Sequence, residues 1–213
     1  QDVWRTTNKG VTWVQQTASI GYGSRKGQQA VVFPDDTIMV TCGLGQFLYR
    51  DTWVSTDKGV TWSRYSQYPT GLAGRWDHSL ARSGNNVYLM AGHPNNSGAA
   101  GRNDVWITSD KGSSWTQLTA TAPWSARAGT SVVTTISGDI LLLAGQDDHD
   151  GGTYPSYAKD VWKYGTYGVS GVCTITSATS GDIYNIGGIS GESTTNIIFT
   201  LWDNKSYGRG GNR

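Results

Sequence analysis

The stretch Ser55-Thr-Asp-Lys-Gly-Val-Thr-Trp62 decides how this chain is read. It carries a hydroxyl, an acid, a glycine and a second hydroxyl at alternate positions, with a tryptophan directly after the last. Two relatives stand elsewhere: Thr6-Thr-Asn-Lys-Gly-Val-Thr-Trp13 and Thr108-Ser-Asp-Lys-Gly-Ser-Ser-Trp115. The closing tryptophan of each copy stands nine residues after an earlier one: Trp4 in DVWRTT, Trp53 in DTWVST and Trp106 in DVWITS. DVWKYG repeats the pattern at Trp162, and FTLWDN repeats it weakly at Trp202. Self-similarity at a period of about 50 residues makes the chain a repeat protein.

Other features keep this step. Apolar runs end at Gly43 (IMVTCG), Gly92 (VYLMAG), Gly145 (ILLLAG) and Gly188 (IYNIGG). Arg25, Arg75 and Arg127 precede the first three of those glycines by a nearly constant interval. One unit is therefore four short strands. A first strand follows the arginine and a second ends in glycine. A third carries DVW, and a tight turn leads to the fourth. Asp, Asn and Gly between β-rich runs signal hairpins. The almost wholly apolar second strand suits a sheet covered on both faces. The expected fold is all-β: a β-propeller of four-stranded antiparallel blades, about four of them present in one domain over 1–213 and part of a larger propeller. Blades are expected at about 1–17 (partial), 25–67, 75–119, 127–171 and 172–213 (partial). A small closed ring is the alternative.

Composition agrees. The 213 residues include 29 Gly, 10 Trp and 11 Tyr but a single glutamate, Glu192, against an α-rich protein. A formal net charge of +1 offers nothing to capture nucleic acid or an anionic membrane. No apolar run approaches the roughly 20 residues of a membrane helix. Cys42 and Cys173 read as two free thiols, with a disulfide as the other reading. Sequons at Asn95 and Asn204 would suit an extracellular or cell-surface glycoprotein.

The repeat resembles known families. Apolar strand, glycine, variable loop, DVW and second tryptophan look like a kelch repeat of the galactose-oxidase type. STDKGVTW resembles the Asp box, or BNR repeat, of sialidase-like propellers. The resemblance implies a propeller fold and says little about activity, because both families include enzymes and binding modules. The sialidase FRIP motif and galactose-oxidase copper ligands are not recognisable.

The turn residues Asn8, Gly10, Trp13, Asp57, Gly59, Trp62, Asp110, Gly112 and Trp115 are expected to hold the fold. An active site needs one convergence of groups, whereas these recur in three separate units, and Asn8 is neither acid nor base. Arg25, Arg75 and Arg127 recur in the same way and are expected to make a repeated structural bond to a neighbouring loop. Sites are expected at the other end of the blades, where long irregular loops gather. That end should display Tyr22, Phe47, Tyr49, Tyr68, Trp76, Trp124, Tyr154 and Tyr157. Flat aromatic faces beside Asn, Asp and Gly suit sugar hydroxyls and rings. The residues singled out for ligand binding are Tyr49, Trp76, Trp124, Asp147, Asp148, His149, Asp150 and Tyr154. No catalytic residue, metal or cofactor is assigned.

The leading expectation is a non-enzymatic adhesion, binding or structural propeller that recognises a glycan or a protein, with self-association or further blades as other partners. The alternatives are a carbohydrate-active enzyme using Asp147, Asp148 or Asp150, and a purely structural assembly subunit.

Overall fold

The computed structural model describes residues 1–66, 70–94, 101–147, 156–165, 168–174, 183–185 and 198–200. Among them every regular element is a strand and every pairing is antiparallel. Strands β1 (Val3–Arg5) and β2 (Val14–Thr17) form a half-sheet. Then come β3 (Gln29–Val32), β4 (Ile38–Leu44), β5 (Leu48–Ser55) and β6 (Ser63–Ser66), a meander in chain order. The second meander is β7 (Ser79–Ser83), β8 (Asn86–Met90), β9 (Val105–Thr108) and β10 (Thr116–Thr119). The third sheet is built from β11 (Ser131–Thr134), β12 (Ile140–Leu143), β15 (Asp160–Gly165) and β16 (Gly168–Thr174). Its second-to-third loop carries its own short pair, β13 (Gln146–Asp147) with β14 (Ser156–Tyr157). A last pair joins β17 (Ile183–Asn185) to β18 (Ile198–Thr200).

The expected four-strand unit is therefore present three times over. The fourth strand of the third sheet reaches Thr174, so residues 172–174 belong to that sheet rather than to the unit expected to follow it. Its sequence lacks the tight turn, and Trp162 and Tyr164 keep the pairing through an irregularity in register.

The sheets stack face to face, and the second strands supply the core. Met39, Val54, Val87, Leu89, Trp106 and Trp115 fill the layer between the first and second sheets. Tyr88, Met90, Val105, Ile140, Leu142 and Trp162 fill the next. Alternate residues of one strand thus face opposite neighbours, Leu89 one way and Tyr88 and Met90 the other, which explains the continuous apolar run. The first strands sit side by side, β7 between β3 and β11.

The turn at 55–62 is a hydrogen-bonded knot. Asp57 accepts from the Thr61 N–H (2.8 Å), from the Thr61 hydroxyl (2.5 Å) and from Ser55 Oγ (2.8 Å). Ser55 Oγ accepts from the Gly59 N–H at 2.8 Å. The Thr61 hydroxyl chiefly draws the Asp57 carboxyl down to about 2. Asp110 accepts in the same way from the Ser114 N–H and hydroxyl, while Asn8 accepts from the Thr12 N–H and donates its amide to the Thr12 hydroxyl. Lysine and glycine both take positive φ in each copy, 63° at Lys58 and 93° at Gly59. The turn also joins sheets. A Cβ on Gly59 would stand 2.8 Å from Val3 of the half-sheet, and one on Gly112 would collide with Thr52 of the first sheet. Trp115 reaches across in the same direction, its indole N–H donating to Thr52 Oγ1 at 3.4 Å.

Candidate functional site

The opposite ends of the sheets are built on three copies of one charged lock. Arg75 donates to both carboxylate oxygens of Asp104, at 2.6 and 2.8 Å, and to the carbonyl of Ala91 at 3.1 Å. The Trp106 indole N–H donates to the same carboxylate at 2.8 Å. Arg25 grips Asp51 and the Cys42 carbonyl, with Trp53 donating to Asp51. Arg127 grips Asp160 and the Ala144 carbonyl, with Trp162 donating to Asp160. The arginine side chains are 0–1% exposed. Burial alone would raise the Asp104 and Asp160 carboxyls. The guanidinium and indole donors outweigh it and hold both below the usual carboxylate range. The DVW motif is thereby explained: its aspartate is the arginine's partner and its tryptophan the third member. The arginine's target is this aspartate of its own sheet, not a neighbouring loop as the sequence suggested. Two-pronged geometry with further hydrogen bonds to the guanidinium is the condition under which a buried ion pair is tolerated.

The lock fixes the backbone at the C-terminal end of the second strand. Cys42, Ala91 and Ala144 hold φ of 59°, 60° and 51°, and the glycine after each is also positive. Arginine bonds to these carbonyls over-determine a conformation that a residue with a side chain otherwise avoids. Burial raises the Cys42 thiol, a free thiol sealed in the core.

Just beyond the locks the sheets are sewn together. The Gly43 N–H donates to the Arg75 carbonyl (2.8 Å) and the Gly92 N–H to the Arg127 carbonyl (2.9 Å). The Asp77 N–H donates to Gly27 (3.0 Å) and the Gly129 N–H to Asp77 (2.8 Å). The residue after each arginine bridges to the residue after each glycine: Lys26 with Leu44, Trp76 with His93 and Ala128 with Gln146. These stitches gather Lys26, Trp76, Asp77, His93 and Gln146 on one inner rim. The Trp76 and His93 rings stack with centroids 4.8 Å apart, and Lys26 Nζ lies 4.9 Å from the Trp76 ring centre. The rim thus combines a cation on an indole face, an imidazole, an amide and a carboxylate.

The expected ligand residues fare unequally. Trp76 is on this rim, half-buried. Tyr49 is committed to the first lock: the Arg25 guanidinium lies 3.8 Å from its ring centre and 4.2 Å from that of buried Tyr22. Trp124 is 6% exposed and packs edge-on against Trp162. Asp147 lies in β13, beside the rim position of Gln146. Phe47 and Tyr157 are exposed. Asp148, His149, Asp150, Tyr154, Tyr68, Asn95 and Asn204 lie outside the described residues. Lys26 and Asp77 were missed, and His93, placed near this face, was read as incidental, although their offsets from the repeat's arginine and glycine could have found them.

Among the described residues the buried polar side-chain atoms without a hydrogen-bond partner are Gln28 Oε1, both nitrogens of His78, Arg102 Nε and Trp124 Nε1, all in segments next to the locks or loops rather than in the tight turns. Burial pushes His78 down to about 3, so its imidazole is neutral near pH 7. Among the described residues no three His, Cys, Asp or Glu side chains come together as a metal site. A cavity of about 280 Å³ opens at the turn end between Phe33, Asp35, Asn85, Ser109 and Lys111, where Lys111 is already paired with Asp35.

No family model matches the chain, and no curated protein matches it. A solved structure described as "Structure of YjhT" is similar, with a TM-score of 0.64 at 15% sequence identity, over 80% of this chain and 61% of that one. At that identity the likeness bears on fold alone, and the chain spans less than two thirds of that structure.

Proposed function

We propose that the three sheets are blades of a β-propeller with kelch-type repeats and Asp boxes, and that the protein is an extracellular or cell-surface binding module. It recognises a glycan or a protein surface through the long-loop end and performs no catalysis itself. The observation that carries this reading is the inner rim: Lys26, Trp76, Asp77 and His93 converge where the first strands of successive sheets meet. An indole face with hydrogen-bonding groups around it is suited to the apolar face and hydroxyls of a sugar, or to an amphipathic side chain of a protein. The orphaned buried polar atoms beside the locks and loops support the reading, since such atoms take up water or a ligand's polar groups. The turn end offers less, because its polar side chains are consumed by the knots.

A glycan array followed by titration of the best hit tests this. Binding that falls at least ten-fold in Trp76→Ala supports the proposal. Turnover of a glycosidase substrate that is abolished by Asp148→Asn would replace it with the enzymatic reading.

A further inference from the structure

One position on the inner rim differs in kind from its copies. The second residue after each repeat arginine is Gly27, Asp77 and Gly129. The three form a hydrogen-bonded chain from sheet to sheet. The Asp77 N–H donates to the Gly27 carbonyl at 3.0 Å, and the Gly129 N–H to the Asp77 carbonyl at 2.8 Å. All three hold left-handed φ, of 62°, 50° and 60°. Glycine takes that conformation freely, whereas a residue with a side chain is strained in it. The second sheet thus carries a carboxylate where the first and third carry no side chain. Both backbone groups of Asp77 are tied, so the strain cannot relax.

The carboxylate gives nothing back to the fold. Asp51, Asp104 and Asp160 hold arginines, and Asp57 and Asp110 close the tight turns. The Asp77 side chain makes no hydrogen bond or ion pair among the described residues, and it is half-buried. A Cβ on Gly27 would stand 2.6 Å from Asp77 Oδ1, so glycine at 27 clears the space that the carboxylate occupies. Lys26 precedes Gly27, Trp76 precedes Asp77, and Lys26 Nζ lies 4.9 Å from the Trp76 ring centre. One residue further along the chain, Gln28 Oε1 and both His78 nitrogens are buried without a partner. These atoms are a second sign that polar groups from outside the protein complete the rim.

Charge narrows the ligand. Lys26 already sets a cation beside the indole, so it disfavours a ligand ammonium there, and Asp77 repels a ligand carboxylate. Two adjacent neutral hydroxyls meet neither penalty. They donate to the two carboxylate oxygens, while Lys26 donates to a sugar oxygen.

We propose that Asp77 is the ligand-reading residue of the rim and that it binds the vicinal diol of a neutral sugar. This rests on the reading of the rim as a binding site and adds the residue and the sugar class. The strain at Asp77 is the stability given up to hold a binding group at that point.

The test is a saturation-transfer NMR titration of the full chain with methyl glucoside, methyl galactoside and methyl mannoside, each beside its uronic acid and its amino sugar. At least one neutral glycoside should bind, and at least about ten-fold more tightly than its two charged forms. Asp77→Asn and Asp77→Gly should each weaken that binding at least about ten-fold. Both variants should melt no lower than the parent, because the copies with glycine keep the same stitches. A melting point lowered by both substitutions would show that the carboxylate serves the fold and would overturn the proposal. Binding lost in Trp76→Ala but kept in both Asp77 variants would overturn it and leave the rim standing. Neutral-sugar binding that no rim variant weakens would overturn both readings. Preference for a charged form, or no binding of any neutral glycoside, would overturn the sugar class and with it the proposal.

Discussion

Arg75 is the residue on which one unit turns. It is fully buried, and it makes four hydrogen bonds: two to Asp104, one to the Ala91 carbonyl and one to the Ala73 carbonyl. Arg75→Ala leaves a buried carboxylate without its counter-ion and is expected to cost about 3–5 kcal/mol in urea unfolding. Lysine cannot reproduce the fork, so Arg75→Lys should recover only part of that loss. His78 gives a pH signature. Its folded value of about 3 lies below the ordinary 6.5, so the unfolded chain binds the extra proton. The contribution is complete above about pH 6.5 and falls as pH drops towards 3, amounting to about 2 kcal/mol lost by pH 5. Urea midpoints at pH 7.5 and 5 check this: His78→Gln should flatten the difference. The locked aspartates act lower. With folded values below an unfolded value of about 3.9, their stabilisation is whole above pH 4 and is lost as pH falls further.

At the scale of the element, the tight turn is both a local knot and a spacer between sheets, and glycine substitutions separate the two roles. Gly10 and Gly112 share a positive φ, 89° and 84°. A Cβ on Gly10 meets nothing, whereas one on Gly112 runs into Thr52 and lies 3.0 Å from Met39. Gly10→Ala should therefore cost about 1 kcal/mol, from backbone strain alone. Gly112→Ala should cost at least about 1–2 kcal/mol more, because it also overpacks the layer between two sheets. Thermal denaturation of the two variants measures the gap. The strand order, the turns and the structural role of the repeated arginines were legible in the sequence because each recurs in register. The arginine's partner was not, since 26 to 33 residues separate it from its aspartate and only the meander brings them together. Tyr49 and Trp124 misled for a related reason. A loop aromatic reads the same in sequence whether it faces solvent or covers a guanidinium or an indole.

Across the whole molecule, two ends of one stack of sheets are given different work. Side-chain hydrogen bonds at the turn end close on themselves, and locks at the loop end hold a rim on which Lys26 is exposed, Trp76 half-buried and His93 buried. Sequence reading expected the site at the long-loop end of the repeat unit, where Trp76 lies, but the rim exists only through bridges within each sheet and stitches between sheets. Those pair positions such as Trp76 and His93 across a loop and align Lys26 from the sheet before. The most direct measurement is calorimetric titration of one bound glycan or peptide against two single variants at opposite ends, Trp76→Ala and Asp57→Asn. The account predicts at least ten-fold weaker binding for Trp76→Ala and unchanged affinity for Asp57→Asn, with both proteins folded by circular dichroism. Affinity retained by Trp76→Ala and lost by Asp57→Asn would contradict it.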